Sequence, residues 1–60
     1  MIHSHEYPIV GTWYLETERN ERFEVVAKDD KSNTIEIQYF GGEVEELDLD
    51  TWFAMHVSAI

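Results

Sequence analysis

The sequence predicts an all-β fold: a small five-stranded antiparallel barrel with one short helical turn before the last strand. Three observations carry this expectation. Runs rich in β-branched and aromatic residues recur at 10–15, 22–28 and 34–40, separated by short polar stretches. Gly41-Gly42 stands between two such patterns and supplies the positive φ that a tight hairpin turn needs. After it, Asp48 and Asp50 precede Trp52 in the manner of a helix start, and a last apolar run follows.

The elements follow in chain order. Residues 1–8 read as an irregular leader, because Pro8 lacks a backbone donor and biases Tyr7 toward an extended conformation. Residues 9–60 form the domain. Strand one is expected over 10–15, and the polar stretch 16–21 turns at Asn20. Strand two, over 22–28, would place Phe23, Val25 and Ala27 on one face and Glu24, Val26 and Lys28 on the other. Residues 29–33 supply turn chemistry. Strand three, over 34–40, alternates with Ile35, Ile37 and Tyr39 inward and Glu36 and Gln38 outward.

A two-residue turn at Gly41-Gly42 would pair Phe40 with Glu43 and Tyr39 with Val44. The next pair on that face, Ile37 with Glu46, mismatches an apolar residue with a charge. Either a bulge near Glu45-Glu46, bringing Leu47 opposite Ile37, or a longer loop with a shifted register resolves the conflict. A helical turn over 48–52, capped by Asp48 or Asp50, leads into a last strand over 53–57.

Sixty residues make one domain with little interior, and the absence of cysteine removes disulfides and thiolate metal sites. Eight aromatic residues supply dense apolar packing instead. Trp13, Phe23, Tyr39 and Trp52 are expected in the core; Tyr14, Phe40 and Phe53 fall out of phase and are expected at the surface. Thirteen carboxylates against four Lys and Arg give a formal charge of −9, and no Lys or Arg follows Lys31. A field of that sign repels phosphate backbones and anionic lipid surfaces, so no direct nucleic-acid or membrane binding is expected. The N-terminus has neither the basic region nor the apolar stretch of a secretory signal, so a cytoplasmic location is expected. The apolar run 57–60 suggests a further segment beyond it.

Candidate binding residues are the exposed rings Tyr14, Phe40 and Phe53 beside an acidic strip of Glu43, Glu45, Glu46, Asp48 and Asp50. Grouped rings mark interaction surfaces, and carboxylates attract basic partners. The expected ligand is therefore a basic protein or peptide. A self-associating structural subunit is the rival reading, with a nucleic-acid mimic behind it. His3, His5 and His56 have ligand chemistry for zinc or nickel, and a free Met1 amine with His3 would chelate copper or nickel; neither is expected to be functional, so no metal or cofactor is assigned. Serine and threonine residues lie in no nucleophile motif, no phosphate-cradling glycine motif occurs, and no enzyme activity is expected.

The run Ile35-Glu36-Ile37-Gln38-Tyr39-Phe40-Gly41-Gly42-Glu43-Val44-Glu45 resembles the strand-turn-strand centre of Tudor and related SH3-like domains. There an apolar strand ends in an aromatic residue, a glycine-containing turn follows, and the next strand carries acids. The chain as a whole is similar to short, acidic, uncharacterised bacterial proteins that form a domain family of unknown function. The resemblance implies an SH3-like (Tudor-like) barrel. Tudor-like domains commonly hold methylated lysine or arginine in an aromatic cage. The matching positions here are Phe40 and Tyr39, with Trp13 or Tyr14 from strand one and Glu43 as the carboxylate. Gly41-Gly42 stands where that turn usually carries Asp and Asn.

Overall fold

Five strands and one helix follow one another as β1 (Trp13–Glu16), β2 (Glu21–Asp29), β3 (Thr34–Tyr39), β4 (Val44–Asp48), α1 (Leu49–Ala54) and β5 (Val57–Ala59) in the computed structural model, which describes residues 6–60. The strands form one sheet, ordered β4-β3-β2-β1-β5, with every neighbouring pair antiparallel. The all-β class and the helix before the last strand are as the sequence predicts. The hydrogen-bonded ladder has β4 at one edge and β5 at the other.

One face of this sheet makes the core. Tyr14, Phe23, Val25, Ile35 and Ile37 project from it against Trp52 of α1, and Leu47, Leu49, Met55 and Val57 pack around them. Three rings form its centre: Tyr14 meets Trp52 edge-on at 4.9 Å and stacks on Phe23 at 5.9 Å, while Phe23 meets Trp52 at 6.2 Å. Such pairs add stabilisation beyond the area they bury. Residues before β1 are tied to this cluster, because the Trp52 indole N–H donates to the Glu6 carbonyl at 2.9 Å and the Ile9 N–H donates to the Tyr14 hydroxyl at 3.1 Å. Leader positions 1–5 lie outside the described residues.

Several elements depart from the sequence expectation for local reasons. Strand one starts at Trp13 rather than Val10, because a turn closed by Thr12 N–H on the Ile9 carbonyl passes through Gly11 at φ +91°. Asn20 and Asn33 both sit at φ +57°, the conformation their short polar side chains tolerate in turns. The bulge lies in β2 rather than β4: the register with β3 shifts between Val25 and Ala27, leaving Val26 as the extra residue. Ala27 therefore turns to Glu36 on the outer face, and Lys28 pairs with Ile35 on the core side.

The hairpin resolves its conflict by register. Tyr39 N–H donates to the Glu43 carbonyl and Gly42 N–H donates to the Tyr39 carbonyl, each at 2.7 Å, with Gly42 at φ +104°. The loop is thus three residues long, the second alternative foreseen. It places Leu47 opposite Ile35, not Ile37, and Glu45 opposite Ile37.

A six-residue helix is too short to persist by itself, so its ends and one buried side chain hold it. The Asp48 carboxylate accepts from Thr51 N–H at 2.9 Å, making Asp48 the N-cap, and Trp52 anchors the helix in the core. Met55 N–H closes the other end on the Thr51 and Trp52 carbonyls. Phe53 and Ala54 consequently belong to the helix, and the last strand begins at Val57 instead of 53.

Candidate interaction face

The sheet register sorts the predicted site residues onto two faces. Alternation about the buried Phe23, Val25, Ile35 and Ile37 assigns Trp13, Leu15, Arg22, Glu24, Glu36, Gln38, Val44 and Glu46 to the face away from the core. Tyr14 is the clearest correction: it is 6% exposed and is a core ring, not a surface one. Trp13 takes the opposite role, 37% exposed where a core position was expected. The cause is the phase of β1, in which Tyr14 pairs with Phe23 while Trp13 pairs with Glu24.

Phe40 sits where the sequence places it, at the surface, 76% exposed. Its N–H donates to the Arg22 carbonyl at 3.0 Å, extending the β2–β3 ladder one step into the loop. This aims its ring at Trp13, which it meets edge-on at 6.3 Å. Phe53 is also exposed but does not join them. It lies on α1, across the core from that face, and its ring packs edge-on to Tyr7 at 5.3 Å. The Lys28 ammonium lies 5.5 Å from the Tyr7 ring centre on the same side.

The acidic strip divides in the same way. Glu46 and Asp48 lie on the outer face, opposite Glu36 and Thr34. Glu45 turns to the core side, where its carboxylate accepts from the Tyr39 hydroxyl at 2.7 Å. Tyr39 is only partly buried there; that burial, the hydrogen bond and charge of Glu45, and the charge of Glu21 push its hydroxyl up to about 12, with Arg19 opposing. Asp48 is committed to the helix cap, and the Thr51 hydrogen bond holds its carboxyl below the ordinary value. Asp50 lies in the first helical turn, where a negative charge is favoured. Glu43 closes the hairpin and, with Glu21, Arg22, Tyr39 and Phe40, lines an open cleft at that end of the sheet.

The outer face thus has an order that the sequence reading missed. A row of Leu15, Arg22 and Phe40 is followed by a row of Trp13, Glu24, Gln38 and Val44, then by Glu36 opposite Glu46. Aromatic rings occupy one end and carboxylates the other. Glu24 and Glu36 were legible as outward residues in their strands; only the cross-strand register brings them together. Glu16 is the one buried charged residue among those described, and it is structural: its carboxylate accepts from Arg19 N–H at 2.7 Å and stands 3.7 Å from the guanidinium Nε.

Among the described residues no group of three or more His, Asp or Glu side chains is arranged to hold a metal ion. His3 and His5 lie outside them, and His56 pairs with Glu18 at 3.4 Å. No helix among the described residues is long and apolar enough to cross a membrane. The model of a family of unknown function, DUF6763, matches residues 3–60. No curated protein and no solved structure matches the chain.

Proposed function

The chain belongs to DUF6763, a family of unknown function, and we propose from its surface that it is a small binding domain for a basic protein or peptide. The observation that carries this reading is the exposed Trp13–Phe40 pair on the same sheet face as Glu24, Glu36 and Glu46. Large rings held edge-on to one another present apolar area at little entropic cost, and such residues dominate the energetics of interfaces. Carboxylates around them favour encounter with Lys- and Arg-rich segments and disfavour acidic ones. The charge of −9 supports the same choice of partner.

No catalytic role is assigned: the proposed face is a sheet surface with no nucleophile and base set within it. The tests use Trp13 itself as the probe. Titration with a lysine-rich peptide should perturb its fluorescence, with Trp13→Phe separating its signal from that of buried Trp52. Phe40→Ala should weaken binding by about tenfold or more, as expected of an interfacial aromatic anchor. Glu36→Lys with Glu46→Lys should weaken it further and flatten its salt dependence. Unchanged affinity in both variants would remove this face from the interaction.

A further inference from the structure

We propose that the open edge of β4 receives a Lys/Arg-rich segment of the partner in extended conformation, as an added strand of the sheet. The inference rests on the reading that the ligand is basic, and adds where its backbone lies.

The hydrogen-bond alternation of β4 is fixed at both ends. Tyr39 N–H donates to the Glu43 carbonyl, and Leu49 N–H donates to the Asn33 carbonyl. Odd-numbered residues of β4 therefore bond to β3, and the backbone groups of Val44 and Glu46 point to the other side. No strand among the described residues pairs with β4 there. Its register with β3 runs unbroken from Gln38↔Val44 to Thr34↔Asp48, so no bulge twists the edge away. Neither lysine nor proline occurs in the strand; its edge is guarded by acids alone, Glu45, Glu46 and Asp48, which repel an acidic chain and not a basic one. The opposite edge, β5, is only three residues long and offers a poorer template.

Charge selects the occupant. The strand and its flanks carry Glu43, Glu45, Glu46, Asp48 and Asp50, with no Lys or Arg from residue 32 to the end. A second copy would bring its own −9 against this edge and meet like charge along it. A basic strand meets the complement. Glu46 and Glu36 face each other directly across β3 and β4, a destabilising like-charge pair that a cation on the neighbouring position would relieve. Val44, 59% exposed, gives the added strand an apolar contact on the same face.

The probe is a short peptide of alternating lysine and valine, tested on the whole chain. Val44→Pro deletes an edge-facing N–H without touching the β3 ladder, because proline is tolerated on such an edge; Val44→Ala controls for the side chain, and circular dichroism for the fold. The proposal expects Val44→Pro to lose about tenfold in affinity relative to Val44→Ala. It also expects slowed hydrogen exchange at the Val44 and Glu46 amides when the peptide is bound, and weakened binding when alternate peptide nitrogens are methylated. Binding that survives Val44→Pro and leaves both amides unprotected would overturn strand addition while the basic-ligand reading stands. No binding of the peptide at low salt would overturn both. Concentration-dependent protection of the two amides without peptide would assign the edge to a second copy and overturn the proposal.

Discussion

Tyr39 and Glu45 make a side-chain pair whose chemistry is open to direct measurement. The Tyr39 hydroxyl donates to Glu45 at 2.7 Å, and its raised value, about 12 against an ordinary 10.0, favours the neutral phenol in the folded chain. The folded protein therefore holds more protons than the unfolded one between pH 10.0 and about 12. Stability from this pair is complete below the lower value and falls as pH rises through the higher one. Tyrosinate absorbance should show Tyr39 titrating late, and Glu45→Gln should bring it back toward 10.0. A late phase unchanged by that substitution would assign the shift to burial alone. The neighbours Trp13 and Tyr14 offer a second test at this scale. Tyr14→Ala should cost about 3–5 kcal/mol, the usual range for a buried large aromatic, whereas Trp13→Ala should cost well under half of that in thermal or denaturant unfolding. The two residues were misassigned from sequence because both are large aromatics. Alternation cannot fix the phase of a strand whose inward and outward residues are equally apolar. Only the pairing of Tyr14 with Phe23 decides it.

Among the elements, the hairpin and α1 were legible because their signals are local. Asp48 caps the helix from the position where a cap was foreseen, and Asn20 and Gly42 take the positive φ expected of turn residues. Two displacements of one residue set the final register: the bulge in β2 escaped the sequence, and the longer hairpin loop is one of the two alternatives it allows. The bulge at Val26 moves Ala27 and Lys28 to opposite faces from those foreseen. The three-residue loop sets Glu43 opposite Tyr39, where a two-residue loop would have set Val44, and brings Glu45 opposite Ile37 within reach of the Tyr39 hydroxyl. Each is one extra residue, and a shift of one flips every later side chain in a strand. The loop also yields a prediction. Gly42 stands at φ +104° with open space where a side chain would project, so substitution there is strained by its backbone and not by contact. Gly42→Ala should destabilise by about 1–2 kcal/mol, the usual cost of such a conformation with a side chain. Gly41→Ala, which is free of positive φ and equally open, should be close to neutral. Equal effects in urea unfolding would contradict the loop geometry.

For the molecule as a whole, one property acts on stability and binding with opposite signs. A charge of −9 is confined within a radius of gyration of 10.8 Å. Arg19 makes two ion pairs, at 3.7 Å with the buried Glu16 and at 3.9 Å with the exposed Glu21; with its own guanidinium largely in water, one cation offsets little of the repulsion. The screening length is about 10 Å at 0.1 M salt, shorter than the molecule's extents of 31, 25 and 16 Å, so moderate salt removes much of its self-repulsion. The melting temperature should therefore rise between low and moderate sodium chloride. Affinity for a lysine-rich peptide should fall over the same interval, because the same screening removes the attraction of Glu24, Glu36 and Glu46 for cations. The two trends together exclude a simpler explanation of weaker binding, that salt loosens the fold. A neutral osmolyte separates them further, since sucrose should raise the melting temperature without the loss of affinity. Stability that falls with salt would mean that attractive pairs, not net repulsion, govern the charge of this fold. Affinity indifferent to salt would leave the Trp13–Phe40 rings as the whole of the recognition, with the carboxylates serving only to keep copies of the chain apart.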